Sequence, residues 1–163
     1  AYERFVPREF LNFLNKESIA DVALGDQVKQ EMSVLFADIV DFTSLSEKMS
    51  PPENFRFINS YLRYMEPCVS KNQGFIDKYI GDAIMALFNG CADDAVRSGI
   101  MMLKEVEAFN RQDNQTNHPP IRIGIGINTG VLMLGTIGGE HRMDSTVISD
   151  AVNLAARLEK LTR

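Results

Sequence analysis

A chain of 163 residues, 45% hydrophobic and 24% charged, suits one domain with a sizeable core and an ordinary water-facing surface. Its net charge of −5, with no basic tract, excludes the sequence-independent attraction that nucleic-acid binders use. Cys68 and Cys91 stand in no metal or redox spacing, and His118 and His141 have no cysteine nearby, which leaves no zinc motif and makes the cysteines small core hydrophobes of a reducing compartment.

The segment from Ala1 to Arg8 lacks the apolar run of a signal peptide, so a cytoplasmic location is expected, either free or as the cytoplasmic part of a larger, membrane-anchored protein. Apolar residues at Phe5, Phe10, Phe13 and Leu14 give partial helical spacing, and Ala20 to Gln30 is polar and reads as irregular. Residues 1–30 together read as a connector arriving from an upstream sensor or linker. Met32 to Val40 is a buried strand by its apolar run. Thr43 or Ser44 then caps a short helix ending at Lys48 or Met49. Pro51-Pro52 opens a longer helix with Phe55, Ile58, Leu62, Met65 and Val69 on its apolar face, ended by Gly74.

Phe75 to Ile80 and Ala83 to Phe88 are two strands joined through Gly81-Asp82, a hairpin signal. Asp93 or Asp94 caps a helix to about Asn110, with Val96, Ile100, Leu103 and Val106 inward, and Arg111 to His118 is a polar linker. Ile121 to Asn128 and Val131 to Ile137 are two strands around Thr129-Gly130, followed by a turn at Gly138-Gly139. The uncharged stretch from Ile123 to Gly139 contains six glycines and belongs to these strands rather than to a membrane span. Thr146 to Ser149 is short and extended, and Ala151 to Leu161 is a final helix. The resulting order is βαββαβ with extra C-terminal elements, an α+β domain of the ferredoxin-like or palm type.

Two apolar runs end at an aspartate: Asp38, in Phe36-Ala37-Asp38-Ile39-Val40-Asp41, and Asp82, in Tyr79-Ile80-Gly81-Asp82-Ala83. Asp is common at strand ends and helix caps, so neither residue alone specifies a ligand. Together they offer two hard oxygen donors where strands end, an arrangement that suits Mg²⁺ shared with substrate phosphates. That combination points to a metal-dependent nucleotide enzyme.

The stretch Phe36-Ala37-Asp38-Ile39-Val40-Asp41-Phe42-Thr43, then Lys78-Tyr79-Ile80-Gly81-Asp82, then Val152-Asn153-Leu154-Ala155-Ala156-Arg157 closely resembles the class III nucleotidyl cyclase catalytic domain. Three separated motifs in the right order make the match specific, and it covers about residues 31–163. The resemblance implies that Asp38 and Asp82, with the Ile39 backbone, hold two Mg²⁺ or Mn²⁺ ions per active site. It implies that Asn153 orients the ribose and Arg157 stabilises the α-phosphate in the transition state, a role suited to a permanent charge on a planar donor fork.

It further implies that Lys78 and Thr146 read the purine. Lys78 lies four residues before Asp82 and Thr146 seven before Asn153, both family offsets. Lys donates to adenine N1 and a hydroxyl accepts from N6, whereas a guanine reader needs an acceptor at the Lys position, so the substrate expected is ATP. Phe42 and Thr43 belong to the segment offering backbone N–H groups to the β- and γ-phosphates. Arg122 is the candidate for a phosphate-binding arginine, at a spacing two residues longer than the mammalian pattern.

The chain departs from the family at Asp41 and Ser149, both at positions where glycine is usual, and Asp41 adds negative charge beside the polyphosphate. The family's further C-terminal strands, with a triphosphate-binding lysine, do not follow Arg157 here. In this family each site lies between two subunits, so one chain carrying the full set implies a homodimer with two equivalent sites, controlled by an upstream sensor through the subunit angle. The reaction implied is ATP to 3′,5′-cyclic AMP and pyrophosphate. Guanylate cyclase, and a cyclase-like module that dimerises or senses nucleotide without turnover, are the alternatives. Diguanylate cyclase is disfavoured because its Gly-Gly-Asp/Glu-Glu-Phe hairpin is missing: Ile80-Gly81-Asp82-Ala83 stands at the hairpin, and Gly138-Gly139-Glu140-His141 lies elsewhere.

Overall fold

A computed structural model describes residues 6–112, 119–139 and 142–163. A short helix α1 (Arg8–Phe13) precedes the first strand β1 (Gln27–Ile39). Helices α2 (Phe42–Ser46) and α3 (Pro51–Ser70) lead to a hairpin of β2 (Gly74–Ile80) and β3 (Ala83–Phe88). Helix α4 (Ala92–Gln112), strands β4 (Ile123–Gly139) and β5 (Arg142–Ile148), and helix α5 (Asp150–Leu161) complete the chain. The strands form one antiparallel sheet in the order β2-β3-β1-β4-β5. The first four realise the expected βαββαβ core, each crossover helix joining two strands with a third inserted between them.

Side-chain alternation along β1 divides the core. Leu35, Ala37 and Ile39 point to one face, where α3 and α4 bring Tyr61, Met65, Met102 and Phe109. Met32 and Val34 point to the other, where they meet Phe10 and Leu14 at the α1 end and Ala155 of α5. Each fully buried large side chain, Tyr61 and Phe88 among them, contributes about 1.5–3 kcal/mol of apolar burial. The sheet is curled, and Lys78 of edge strand β2 reaches the Ser145 carbonyl of the opposite edge strand β5.

Several elements differ from the sequence reading. The stretch from Ala20 to Gln30 is not irregular: Ser18 caps a 3₁₀ turn at Ile19–Asp21, and β1 starts at Gln27, opposite Gly135. Asp41, rather than Thr43 or Ser44, is the N-cap of α2. The inner face of α3 is Phe57, Tyr61, Met65, Cys68 and Val69, while Phe55 is 72% exposed, because the two aromatics fill the space beneath the sheet. That helix ends at Ser70, and Gly74 opens β2.

Helix α4 turns inward Ala95, Ser98, Gly99, Met102, Val106 and Phe109; Val96, Ile100 and Leu103 are half exposed. This stripe is the one seated on the sheet: a Cβ on Gly99 would lie 3.5 Å from Ile127, an ordinary contact distance. No turn interrupts β4 at Thr129-Gly130, since β1 pairs with it without a break from Ile123 to Gly135. Gly138 and Gly139 still belong to β4. Residues Glu140 and His141 lie outside the described residues, as do His118 and residues 113–118 of the expected linker, whose first two residues are helical.

Candidate active site

Asp38 is the penultimate residue of β1, opposite Gly124 of β4. It shares the strand face of Met32 and Val34, the one that α5 covers. Asp82 sits in the two-residue turn between Ile80 and Ala83. Its neighbour Gly81 has φ +64°, the left-handed conformation that a tight hairpin turn favours and a side chain resists. The Ile39 N–H donates to Asp82 Oδ2 at 3.0 Å, so β1 and the hairpin deliver their carboxylates to one place. Any part Ile39 takes in holding a cation falls to its carbonyl, since an amide N–H offers a metal no lone pair.

Burial, then the Asp38 side chain hydrogen-bonded beside it and the Asp38 charge, push the Asp82 carboxyl up to about 7, against the lowering effect of the Ile39 N–H. Two carboxylates this close resist joint ionisation, and a divalent cation removes that repulsion. The donor set fits such an ion. Among the described residues no cluster of three or more His, Cys, Asp and Glu exists, so two carboxylates must be supplemented by backbone, water or substrate oxygens. Tyr61 lies buried close by, and burial together with the charges of Asp82 and Asp38 drives its hydroxyl well above the usual phenol range.

Sequence reasoning overlooked Arg163 and Glu159. The Arg163 guanidinium pairs with Asp38 Oδ2, and its Nε donates to Glu159 Oε1 at 2.8 Å. Glu159 is 4% exposed, so the arginine shares its one positive charge between a buried acid and Asp38. Their i, i+4 spacing on a helical pattern was the available signal.

The segment after β1 continues with Asp41 at φ 56° and ψ 31°. That left-handed conformation is one glycine adopts freely, and Asp is among the few side chains that tolerate it. Asp41 is exposed and makes no side-chain cap to α2. Phe42 and Thr43 form the first turn of that helix. Arg122 is joined to the same segment through its carbonyl, which accepts from the Val40 N–H at 2.9 Å, while its residue is exposed.

Helix α5 is laid directly on the β4 backbone. A Cβ on Gly126 would come within 2.2 Å of both the Ala155 carbonyl oxygen and the Glu159 nitrogen. With Ala155 and Glu159 turned to the sheet, Asn153 and Arg157 are both exposed on the outer face. No described contact joins either residue to Asp38 or Asp82 of the same chain. Ser149, extended at φ −175°, caps α5 by accepting from the Ala151 N–H at 2.9 Å. Lys78 Nζ donates to the Ser145 carbonyl at 3.2 Å, next to Thr146, which faces Gly135 in the β4–β5 ladder. The structure therefore assembles Asp38, Asp82 and Ile39 in one group and brings Lys78 to the Ser145 carbonyl, one residue before Thr146, in another.

Residues 24–163 match the model of the adenylate and guanylate cyclase catalytic domain. An adenylate cyclase of Anabaena cylindrica is 45% identical over 168 residues, covering 100% of this chain and 34% of its own length. The crystal structure of the adenylyl cyclase CyaB from P. aeruginosa superposes with a TM-score of 0.76 at 36% identity, covering 84% of this chain and 74% of that one. A guanylyl cyclase structure does so with a TM-score of 0.75 at 34% identity, over 83% of this chain and 72% of that one. The chain thus spans about a third of the length of its cyanobacterial relative.

Proposed function

The chain belongs to the adenylate and guanylate cyclase catalytic domain family, and from that premise we propose that it converts ATP to 3′,5′-cyclic AMP and pyrophosphate within a signalling protein. The observation that carries this reading is the convergence of Asp38 and Asp82 through the Ile39 N–H, with burial and mutual charge raising Asp82 to about 7. Asp38, Asp82 and the Ile39 carbonyl would hold two Mg²⁺ or Mn²⁺ ions. Divalent cations held there would supply Lewis acidity toward the ribose 3′-hydroxyl and counter-charge for the triphosphate.

The chain's own groups do the rest. Backbone N–H groups around Phe42 and Thr43 receive the β- and γ-phosphates, and Arg122 adds positive charge beside them. Lys78 donates to adenine N1 and Thr146 accepts from N6. Guanine presents a donor at N1, which a lysine ammonium cannot satisfy, and this favours ATP over GTP. Asn153 orients the ribose, and Arg157 meets the charge on the α-phosphate.

Asn153 and Arg157 lie exposed on α5, without a described contact to the aspartates of their own chain, which supports a homodimer with each site built from two copies. Residues 31–163 are then the catalytic domain, and residues 1–30 transmit the state of an upstream sensor by altering the subunit angle. No helix among the described residues is long and apolar enough to cross a membrane, and the domain works where ATP is found, in the cytoplasm. Cyclic AMP production from ATP with Mn²⁺ or Mg²⁺, compared between the wild type and Asp38→Ala, tests the reading. Equal production by the two proteins would overturn it.

A further inference from the structure

Three acids are buried among the described residues: Asp77, Asp94 and Glu159. Asp94 is paired with Arg97 and Glu159 with Arg163, each through a hydrogen bond. Asp77 has none. Both its carboxylate oxygens are without a hydrogen-bond partner, although its side chain is fully hidden from solvent. Lys78 Nζ lies 3.4 Å from Asp77 Oδ2, close enough for an ion pair but outside hydrogen-bond geometry. An acid kept in such surroundings weakens the fold unless its neighbour needs it.

The backbone arranges this pairing. Successive residues of a strand normally point to opposite faces, which would send Asp77 and Lys78 apart. The β2–β3 register shifts between Ile76, which faces Ala86, and Lys78, which faces Met85, so Asp77 is the extra residue of a β-bulge. A bulge re-aims side chains, and this one brings adjacent side chains together. Both residues line an open cleft of about 890 Å³ that also touches Glu66, Asp144 and Ser145.

We propose that Asp77 is a positioning residue for substrate selection: with the Ser145 carbonyl, it fixes the Lys78 ammonium so that its third N–H faces the purine. A lysine ammonium has three donors on a flexible stem and no preferred direction of its own. One donor goes to the Ser145 carbonyl at 3.2 Å, and a second is drawn toward Asp77. The remaining donor is left for a ring acceptor, as adenine N1 is and guanine N1–H is not. The fully hidden Asp77 side chain does not touch the nucleotide and acts through Lys78. This inference rests on the proposed role of Lys78 as the purine reader.

The test compares Asp77→Asn, Lys78→Ala and the double variant, with ATP and GTP as substrates and Mn²⁺ as the metal. Asp77→Asn keeps the shape and removes the charge. It should raise KM for ATP about tenfold with little change in kcat, and lower the ATP-to-GTP preference. In the Lys78→Ala background the same change should do nothing further. A fall in activity of equal size in both backgrounds, with the preference for ATP unmoved, would make Asp77 a structural residue and overturn the inference. If Lys78→Ala itself leaves the preference unchanged, the purine-reading role fails first and this inference with it. Should Asp77→Asn not fold, nitrogen-15 spectra of the wild-type lysine ammoniums decide. A slowly exchanging Lys78 signal is expected, and one that exchanges as fast as surface lysines would overturn the proposal.

Discussion

The Ile39 backbone N–H donates to the Asp82 carboxylate at 3.0 Å, joining the end of β1 to the β2–β3 turn across 43 residues of sequence. Through that bond the hairpin's carboxylate is held beside Asp38, where the two resist joint ionisation until a divalent cation offsets their repulsion. Neither aspartate reaches this arrangement without the antiparallel register that sets Ala37 opposite Ile84.

Asp38→Ala or Asp82→Ala should abolish cyclic AMP formation with saturating Mn²⁺ while far-ultraviolet circular dichroism stays that of the wild type. Both carboxylates lie at the end of the sheet rather than in its apolar core. Turnover above a few per cent in either variant, an arbitrary but measurable threshold, would remove the two-carboxylate assignment.

Metal should stabilise the fold. At a free Mn²⁺ concentration about a hundredfold above its dissociation constant, linkage predicts about 2.7 kcal/mol, read as a rise in Tm. The rise should vanish in Asp38→Ala. A Tm indifferent to Mn²⁺ in the wild type would argue that no cation binds between these groups.

Base choice should follow Lys78. Lys78→Glu combined with Thr146→Ala should cut ATP use and raise relative GTP use, since each mismatched buried donor or acceptor costs about 1–3 kcal/mol. Steady-state kinetics with both nucleotides would expose a double variant that keeps its full ATP preference, and with it the error in the assignment.

Gly126→Ala should dislodge α5, because the new Cβ meets backbone atoms of Ala155 and Glu159 at 2.2 Å and backbone cannot give way as a flexible side chain can. A loss of at least 1–3 kcal/mol is expected, roughly the cost of overpacking, together with lost activity as Asn153 and Arg157 move. Unchanged denaturant midpoint and unchanged turnover would show that the helix is not seated as described.

Much of this was legible in the residues. The βαββαβ order followed from the apolar runs and from the Gly81-Asp82 turn, and the strand ends carrying Asp38 and Asp82 were visible as breaks in those runs. What escaped depended on tertiary choice. Helix α4 has two usable stripes, and the one with Ala95, Ser98 and Gly99 is the one seated on the sheet, which no hydropathy pattern records. The glycines of β4 suggested a turn at Thr129-Gly130, yet Gly124 and Gly126 serve to admit α5, a contact between segments some thirty residues apart. Arg163 came to Asp38 only through the seating of that helix, and the bulge at Asp77 leaves no mark in the sequence.

Shared sites are tested most directly by mixing two dead variants. Asp38→Ala and Arg157→Ala should each be nearly inactive as homodimers, since every site then lacks an essential group. In a heterodimer both lesions fall in one site and the other site is intact. Random pairing makes about half of the dimers mixed, each with one good site of two, so an equimolar mixture should recover roughly a quarter of wild-type activity at saturating dimer. A mixture no more active than its parents, with heterodimers confirmed by native mass spectrometry, would contradict a site built from two chains.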